Sequence, residues 1–147
     1  MPGGGITGMP EGFTPVVPFD VCFDAVYGLE VLSEDVAREG VARARVEVGE
    51  RHLTPHGLVH GGVFAAAAEA LASRGTALTV IPAGFAAMGQ GNDTTVLEPV
   101  SDGVISFEAR VLSRGADAWL WTVDATRADG EVVAHSRVTV AVRPFQV

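Results

Sequence analysis

Between Val41 and Val48 the chain alternates. Ala42, Ala44, Val46 and Val48 fall on one face, and mostly charged residues fall on the other. That period of two predicts a half-buried strand. Upstream, Phe19 to Tyr27 predicts a short helix and Leu29 to Ser33 a strand, while Leu53 to Val59, with Pro55 and Gly57, predicts a loop. From Gly62 the pattern changes. Val63-Phe64-Ala65-Ala66-Ala67-Ala68-Glu69-Ala70-Leu71-Ala72-Ser73 is alanine-dense, with no proline and no β-branched run, which predicts a helix over about 62–79. It is apolar nearly all round, and such a helix is expected to be buried.

After Gly84 strand patterning returns. Asn92 to Val96 leads into Glu98-Pro99, and Ser101-Asp102-Gly103 predicts a turn. Ile105, Phe107, Ala109 and Val111 share one face of the next strand, and Trp119, Trp121 and Val123 one face of the strand after the Arg114-Gly115 turn. Asp129-Gly130 is a two-residue hairpin signal between alternating runs. A last strand places Val132, Ala134, Ser136, Val138, Val140 and Val142 on one side, and Pro144 stops it. One helix cannot cover both faces of such a set of strands. The economical arrangement is α+β, a curved antiparallel sheet wrapped around the helix, with an outer face or edge that invites a second subunit. At 147 residues the chain fits one domain, here residues 16–147 behind a Gly/Pro-rich flexible tail over 1–15.

Charge narrows the partners. The formal net charge is −8, and the ten basic residues, all arginine, are scattered rather than clustered. Nucleic acid, which needs concentrated positive charge, is therefore not an expected partner. No run of about 18 apolar residues marks a membrane span, and the first ten residues lack the basic and apolar regions of a secretory signal. The single Cys22 cannot form an internal disulfide and suits a reducing, cytoplasmic compartment, where it reads as a small apolar residue.

Glu69 is the outstanding chemical candidate. It is the only acid between Arg51 and Asp93, and its neighbours are Ala68, Ala70, Leu71 and Ala72. A carboxylate among methyl groups is costly unless it is paired, held neutral, or turned toward a cavity. Catalysis is one reading; a charge reaching solvent, or an ion pair with Arg74 or another arginine, is the other. His60-Gly61-Gly62 stands directly before the helix. Two glycines there permit close backbone approach, and free N–H groups at the positive helix end can hold an oxyanion. Gly61 and Glu69 are eight residues apart, about 12 Å along a helix. One reacting carbon cannot touch both ends of that span, so joint action requires two antiparallel helices from two subunits and a site shared across a two-fold axis. Ser73, four residues beyond Glu69, shares its face and could orient water or bond back to its own helix. His52, His56 and His60 recur every four residues, but Pro55 and Gly57 break any helix between them, so no metal is expected and His60 reads as a positioning residue. Gly89-Gln90-Gly91 is a fragment of a dinucleotide fingerprint that does not lead into a helix, and is set aside.

The run His56-Gly57-Leu58-Val59-His60-Gly61-Gly62-Val63, with Glu69 and Ser73 behind it, resembles the hotdog-fold thioesterases. The likeness is to the phenylacetate-degradation type and, more closely, to the glutamate-using 4-hydroxybenzoyl-CoA thioesterases. Met88 to Thr94, Glu98-Pro99-Val100 and Ala141 to Pro144 also resemble that branch. The resemblance implies hydrolysis of an acyl-CoA or aroyl-CoA thioester without a cofactor, in a dimer or dimer of dimers. It implies that the Gly61 amide polarises the carbonyl, that Glu69 of the partner subunit is nucleophile or general base, and that Ser73 stands for the family's threonine. Gly62 and His60 are expected as supporting residues beside that carbonyl. Two departures stand out. Thr54 occupies the position of the family's glutamine, and Ala116-Asp117, Glu98 and Gln146 occupy positions where that branch contacts the CoA nucleotide. Losing those donors leaves three readings: CoA held by other arginines, CoA held weakly, or a carrier-protein pantetheine as the handle. A non-catalytic acyl-binding module is the rival from another class.

Overall fold

The computed structural model describes residues 13–145, and in it the alternating segments become a six-stranded antiparallel sheet. In chain order the elements are α1 (Phe23–Val26), β1 (Glu30–Ser33), α2 (Val36–Glu39), β2 (Val41–Glu47), α3 (Gly61–Val80), β3 (Phe85–Val96), β4 (Val104–Arg114), β5 (Ala118–Thr126) and β6 (Val132–Pro144). The sheet order is β1-β2-β4-β5-β6-β3. β3 therefore leaves its sequence neighbour β4 and pairs instead with β6, at the far edge. This is the curved sheet around one long helix that defines the hotdog fold.

Side-chain alternation sets which face meets α3. Ala42, Ala44 and Val46 of β2, Ile105, Phe107 and Ala109 of β4, and Trp119, Trp121 and Val123 of β5 are all buried. Phe64, Ala67, Ala68, Leu71 and Ala72 of α3 close the same core. The fit is tight around Trp121. A Cβ on Gly75 would lie 2.6 Å from the Trp121 ring, so only glycine lets β5 approach the helix there. Trp121 Nε1–H donates to Thr76 Oγ1 (2.9 Å), and that hydroxyl donates to Ala72 O (2.8 Å). Both buried polar groups are thereby satisfied, and each such bond contributes about 1 kcal/mol net.

Four expectations change. The helix is not buried all round: Gly62 and Glu69 are exposed, and Gly61, Ala65, Ala66 and Ser73 are half-buried. Its alanines serve two surfaces, one packed on the sheet and one left open, which hydropathy alone does not separate. β6 also changes phase at its start. The register between β5 and β6 shifts near Thr126 and Val132, so Val132 is exposed while Val133 enters the core. β3 begins at Phe85, upstream of the strand expected from Asn92, and takes in Gly89-Gln90-Gly91 as a bulge. The helix expected over Phe19 to Tyr27 shrinks to α1, with Phe19 to Val21 forming a turn. Of the expected tail, residues 1–12 lie outside the described residues, and Phe13 and Pro15 lie against a cavity of the domain. Among the described residues no helix is long and apolar enough to cross a membrane.

Candidate active site

The start of α3 is built by His60. Its backbone is extended, it serves as the N-cap, and its Nδ1 accepts from the Gly62 N–H at 2.8 Å. His60 N–H donates in turn to His52 O (2.8 Å), which fixes the entry to the helix. Of the two glycine amides expected to be free, that of Gly62 is capped. The Gly61 N–H has no acceptor among the described residues. It points from the positive end of a twenty-residue helix, where a carbonyl oxygen gaining negative charge is stabilised.

Two turns further along, the carboxylate of Glu69 has no hydrogen-bond or ion-pair partner among the described residues. The ion pair with Arg74 weighed above does not form, because Arg74 is held by Glu34 through both Nε and Nη2. Glu69 instead faces an open groove of about 490 Å3 that also contains Gly61, Gly62, Ala65 and Ala66. The far wall is β3, through Asn92 and Thr94. Asn92 Nδ2 donates to Ala65 O (2.9 Å), clipping β3 onto the helix one turn before Glu69. Thr94 Oγ1 donates to Asn92 Oδ1 (2.8 Å) and sits 2.7 Å from Ser136 Oγ, which must donate to it since the threonine proton is already used.

β3 also supplies the residue set aside in the sequence. Gly89 lies directly against Glu69, and a Cβ there would stand 2.8 Å from Glu69 Cδ and 3.0 Å from Cγ. Its φ is not in the left-handed region, so the requirement is for close approach rather than for a special backbone. The signal was legible in principle: glycine inside a strand marks a bulge or a near neighbour.

The other candidates separate. Ser73 makes no hydrogen bond to its own helix and lines a second, mainly apolar cavity of about 420 Å3 rather than the groove. Thr54 is spent locally: its Oγ1 accepts from His56 N–H (3.3 Å), and its backbone closes the loop through Leu58 O and Gly57 N–H. It is not among the groove residues. His52 is buried, with Nδ1 accepting from Gly49 N–H and Nε2 donating to Tyr27 O, whereas His56 is exposed. The three histidines thus have three separate roles and do not converge. Glu98 and Asp117 are exposed, and Gln146 lies outside the described residues.

Asp24, on the wall of the second cavity, and Tyr27, bonded to it, both have shifted titrations. Burial pushes the Asp24 carboxyl above the usual carboxylate range, against the opposing effects of the Tyr27 hydroxyl and the Arg74 charge. Burial, followed by the neighbouring Asp24 charge, also holds the Tyr27 phenol protonated well above its ordinary range, and its hydroxyl donates to Asp24 Oδ1 at 2.7 Å.

Similarity to known proteins agrees with this fold. A Mycobacterium tuberculosis protein carrying an esterase name, Rv1847, is 33% identical over 120 residues, 80% of this chain and 84% of its own length. Its solved structure superposes with a TM-score of 0.79 at 30% identity, covering 85% of this chain and 98% of that one. A Pseudomonas aeruginosa thioesterase, PA1618, superposes at 0.80 with 25% identity over 86% and 88% of the two chains. A 1,4-dihydroxy-2-naphthoyl-CoA hydrolase of Listeria monocytogenes is 28% identical over 79% of this chain and 91% of its own. The sequence model of the Thioesterase superfamily matches residues 56–134, a span running from the loop before α3 into β6 that includes every groove residue, and this chain belongs to that superfamily.

Proposed function

We propose that the protein hydrolyses acyl-CoA or aroyl-CoA thioesters, with Gly61 N–H polarising the carbonyl and Glu69 of the partner subunit acting as nucleophile or general base. The observation that carries this reading is one open groove holding an unpartnered helix-terminal amide and an unpartnered carboxylate. Their separation along α3, about 12 Å, is too great for one carbon within one chain. Two features support a two-fold arrangement. Among the described residues β3 pairs on one side only, and the open strip of α3 is made of Gly61, Gly62, Ala65 and Ala66, small enough for close helix approach. Pairing two such chains antiparallel would bring the amide of one beside the carboxylate of the other, twice per dimer.

In the covalent route Glu69 attacks the thioester carbon and the thiolate leaves, giving an anhydride that water opens to the acid. In the alternative route Glu69 takes a proton from water, which attacks directly. The likeness to a dihydroxynaphthoyl-CoA hydrolase supports an aroyl group. The exposed acids Glu98 and Asp117, at positions where the related branch holds the nucleotide, instead favour a carrier-protein pantetheine as a second reading. The test is thiol release, read with a trapping dye across aroyl-, phenylacetyl- and fatty acyl-CoAs. Glu69→Ala should lower kcat by about 100-fold or more. Near-wild-type turnover in Glu69→Gln would refute the assignment.

A further inference from the structure

We propose that residues 13–19 form the wall that fixes which acyl group is accepted, with Phe13 and Phe19 closing over its apolar end. The proposal rests on the thioesterase reading of Glu69 and adds to it the acyl site and the segment that shapes it. Directly beyond Glu69, α3 turns Ala70, Ser73 and Ala77 toward the cavity of about 420 Å3. A thioester carbon held at Glu69 therefore has an apolar chamber beginning one helical turn away. The chamber's lining is chiefly hydrocarbon, suited to an apolar acyl group, and three phenylalanine rings, Phe13, Phe19 and Phe145, contribute to it.

Its walls are unequal. α3 and β3 are held by helix and ladder hydrogen bonds. Residues 13–17 have no regular secondary structure and no backbone hydrogen bond among the described residues. Pro15 and Pro18 lack the N–H that a ladder would need. The segment is anchored at its root, where Val21 N–H donates to Pro18 O (3.2 Å) and Cys22 Sγ donates to Phe19 O (3.2 Å). Beyond the root it is held by apolar contact, including the stacked Phe13 and Phe19 rings at 6.3 Å. Val16 is 98% exposed, so the segment gains little burial from its outer side. A wall with few hydrogen bonds and mostly exposed residues opens at low cost. It is thus the part of the chamber that can admit an acyl group and then fit itself to that group's size.

The experiment compares wild type, F13A, F19A, F13A/F19A and F19W on benzoyl-, 2-naphthoyl-, hexanoyl- and decanoyl-CoA. In parallel, binding of 2-naphthoate and decanoate is measured by calorimetry on the E69Q protein with and without F19A. Removing a ring should raise the ratio of kcat/KM for naphthoyl over benzoyl substrate about tenfold, on the scale of pocket discrimination. F19W should move the ratio the other way. Identical ratios in all variants, in proteins that melt as wild type does and hydrolyse thioesters through Glu69, would overturn the wall and leave the thioesterase reading intact. Naphthoate binding that tightens with F19A, in a protein that hydrolyses no thioester, would support the wall and remove the thioesterase reading. Naphthoate and decanoate binding indifferent to F19A would count against the proposal whatever the hydrolysis shows.

Discussion

The contact between Gly89 and Glu69 offers a sharp probe, because one methyl group is enough to disturb it. In Gly89→Ala the new Cβ would sit 2.8 Å from Glu69 Cδ and 3.2 Å from Oε1, whereas ordinary contact begins near 3.4 Å. The backbone at Gly89 accepts alanine, since its φ is not in the left-handed region. Relief must therefore come from the glutamate, whose carboxylate has to retreat by more than half an ångström. The retreat is cheap for the fold, because Glu69 is exposed and unpartnered. For a group aimed at a reacting carbon it is costly: a displacement approaching 1 Å can lower a rate about 100-fold, equivalent to about 2.7 kcal/mol. Thiol-release kinetics should show kcat down by about 10- to 100-fold, with a melting temperature within about 2 °C of wild type. Wild-type kcat in Gly89→Ala would refute the reasoning, since the carboxylate position would then not matter. A large loss of stability would refute it in another way, by showing that the glycine serves packing.

The remaining predictions separate structural from chemical roles. In Gly62→Ala the Cβ would meet His60 Nδ1 at 2.9 Å and dislodge the helix cap, costing about 1 kcal/mol and about 2–4 °C in melting temperature. Gly61→Ala meets only Val96 Cγ2 at 3.5 Å, so thermal melting should be unchanged while kcat falls if a substrate carbonyl approaches that amide. Trp121→Phe removes the donor to buried Thr76 Oγ1 and leaves a gap beside Gly75, so urea unfolding should show a loss of about 2–3 kcal/mol. For Asp24 the folded-state pKa is raised above 3.8, so the native state holds more protons than the unfolded state between the two values. Its contribution is therefore most favourable at low pH and is lost as pH rises through the folded pKa. Urea midpoints across pH 4–7 should show a weaker decline with pH in Asp24→Asn than in wild type.

The sequence by itself marked the long helix, most of the strands and the residues proposed for the chemistry. Alternation in 41–48 and 105–111 fixed two core-facing strand surfaces, because successive side chains in a strand point to opposite faces. The alanine run fixed a long helix, with His60-Gly61-Gly62 at its start and Glu69 two turns on. That spacing alone implied a site made by two helices. Tertiary structure decided what those residues meet. β3 crosses to the far edge of the sheet, and only then does Gly89 lie against Glu69 and Asn92 clip the helix. Hydropathy could not divide the alanine helix into a packed side and an open side, since alanine serves both. It could not tell that Arg74 belongs to Glu34, forty residues upstream, rather than to Glu69 one turn away. Nor could it show that Ser73 leaves the groove for the apolar chamber behind the 13–19 segment. Periodicity records how each residue is buried within its own element. Which distant residues become neighbours depends on strand order and register, and these are fixed only when the whole sheet closes around the helix.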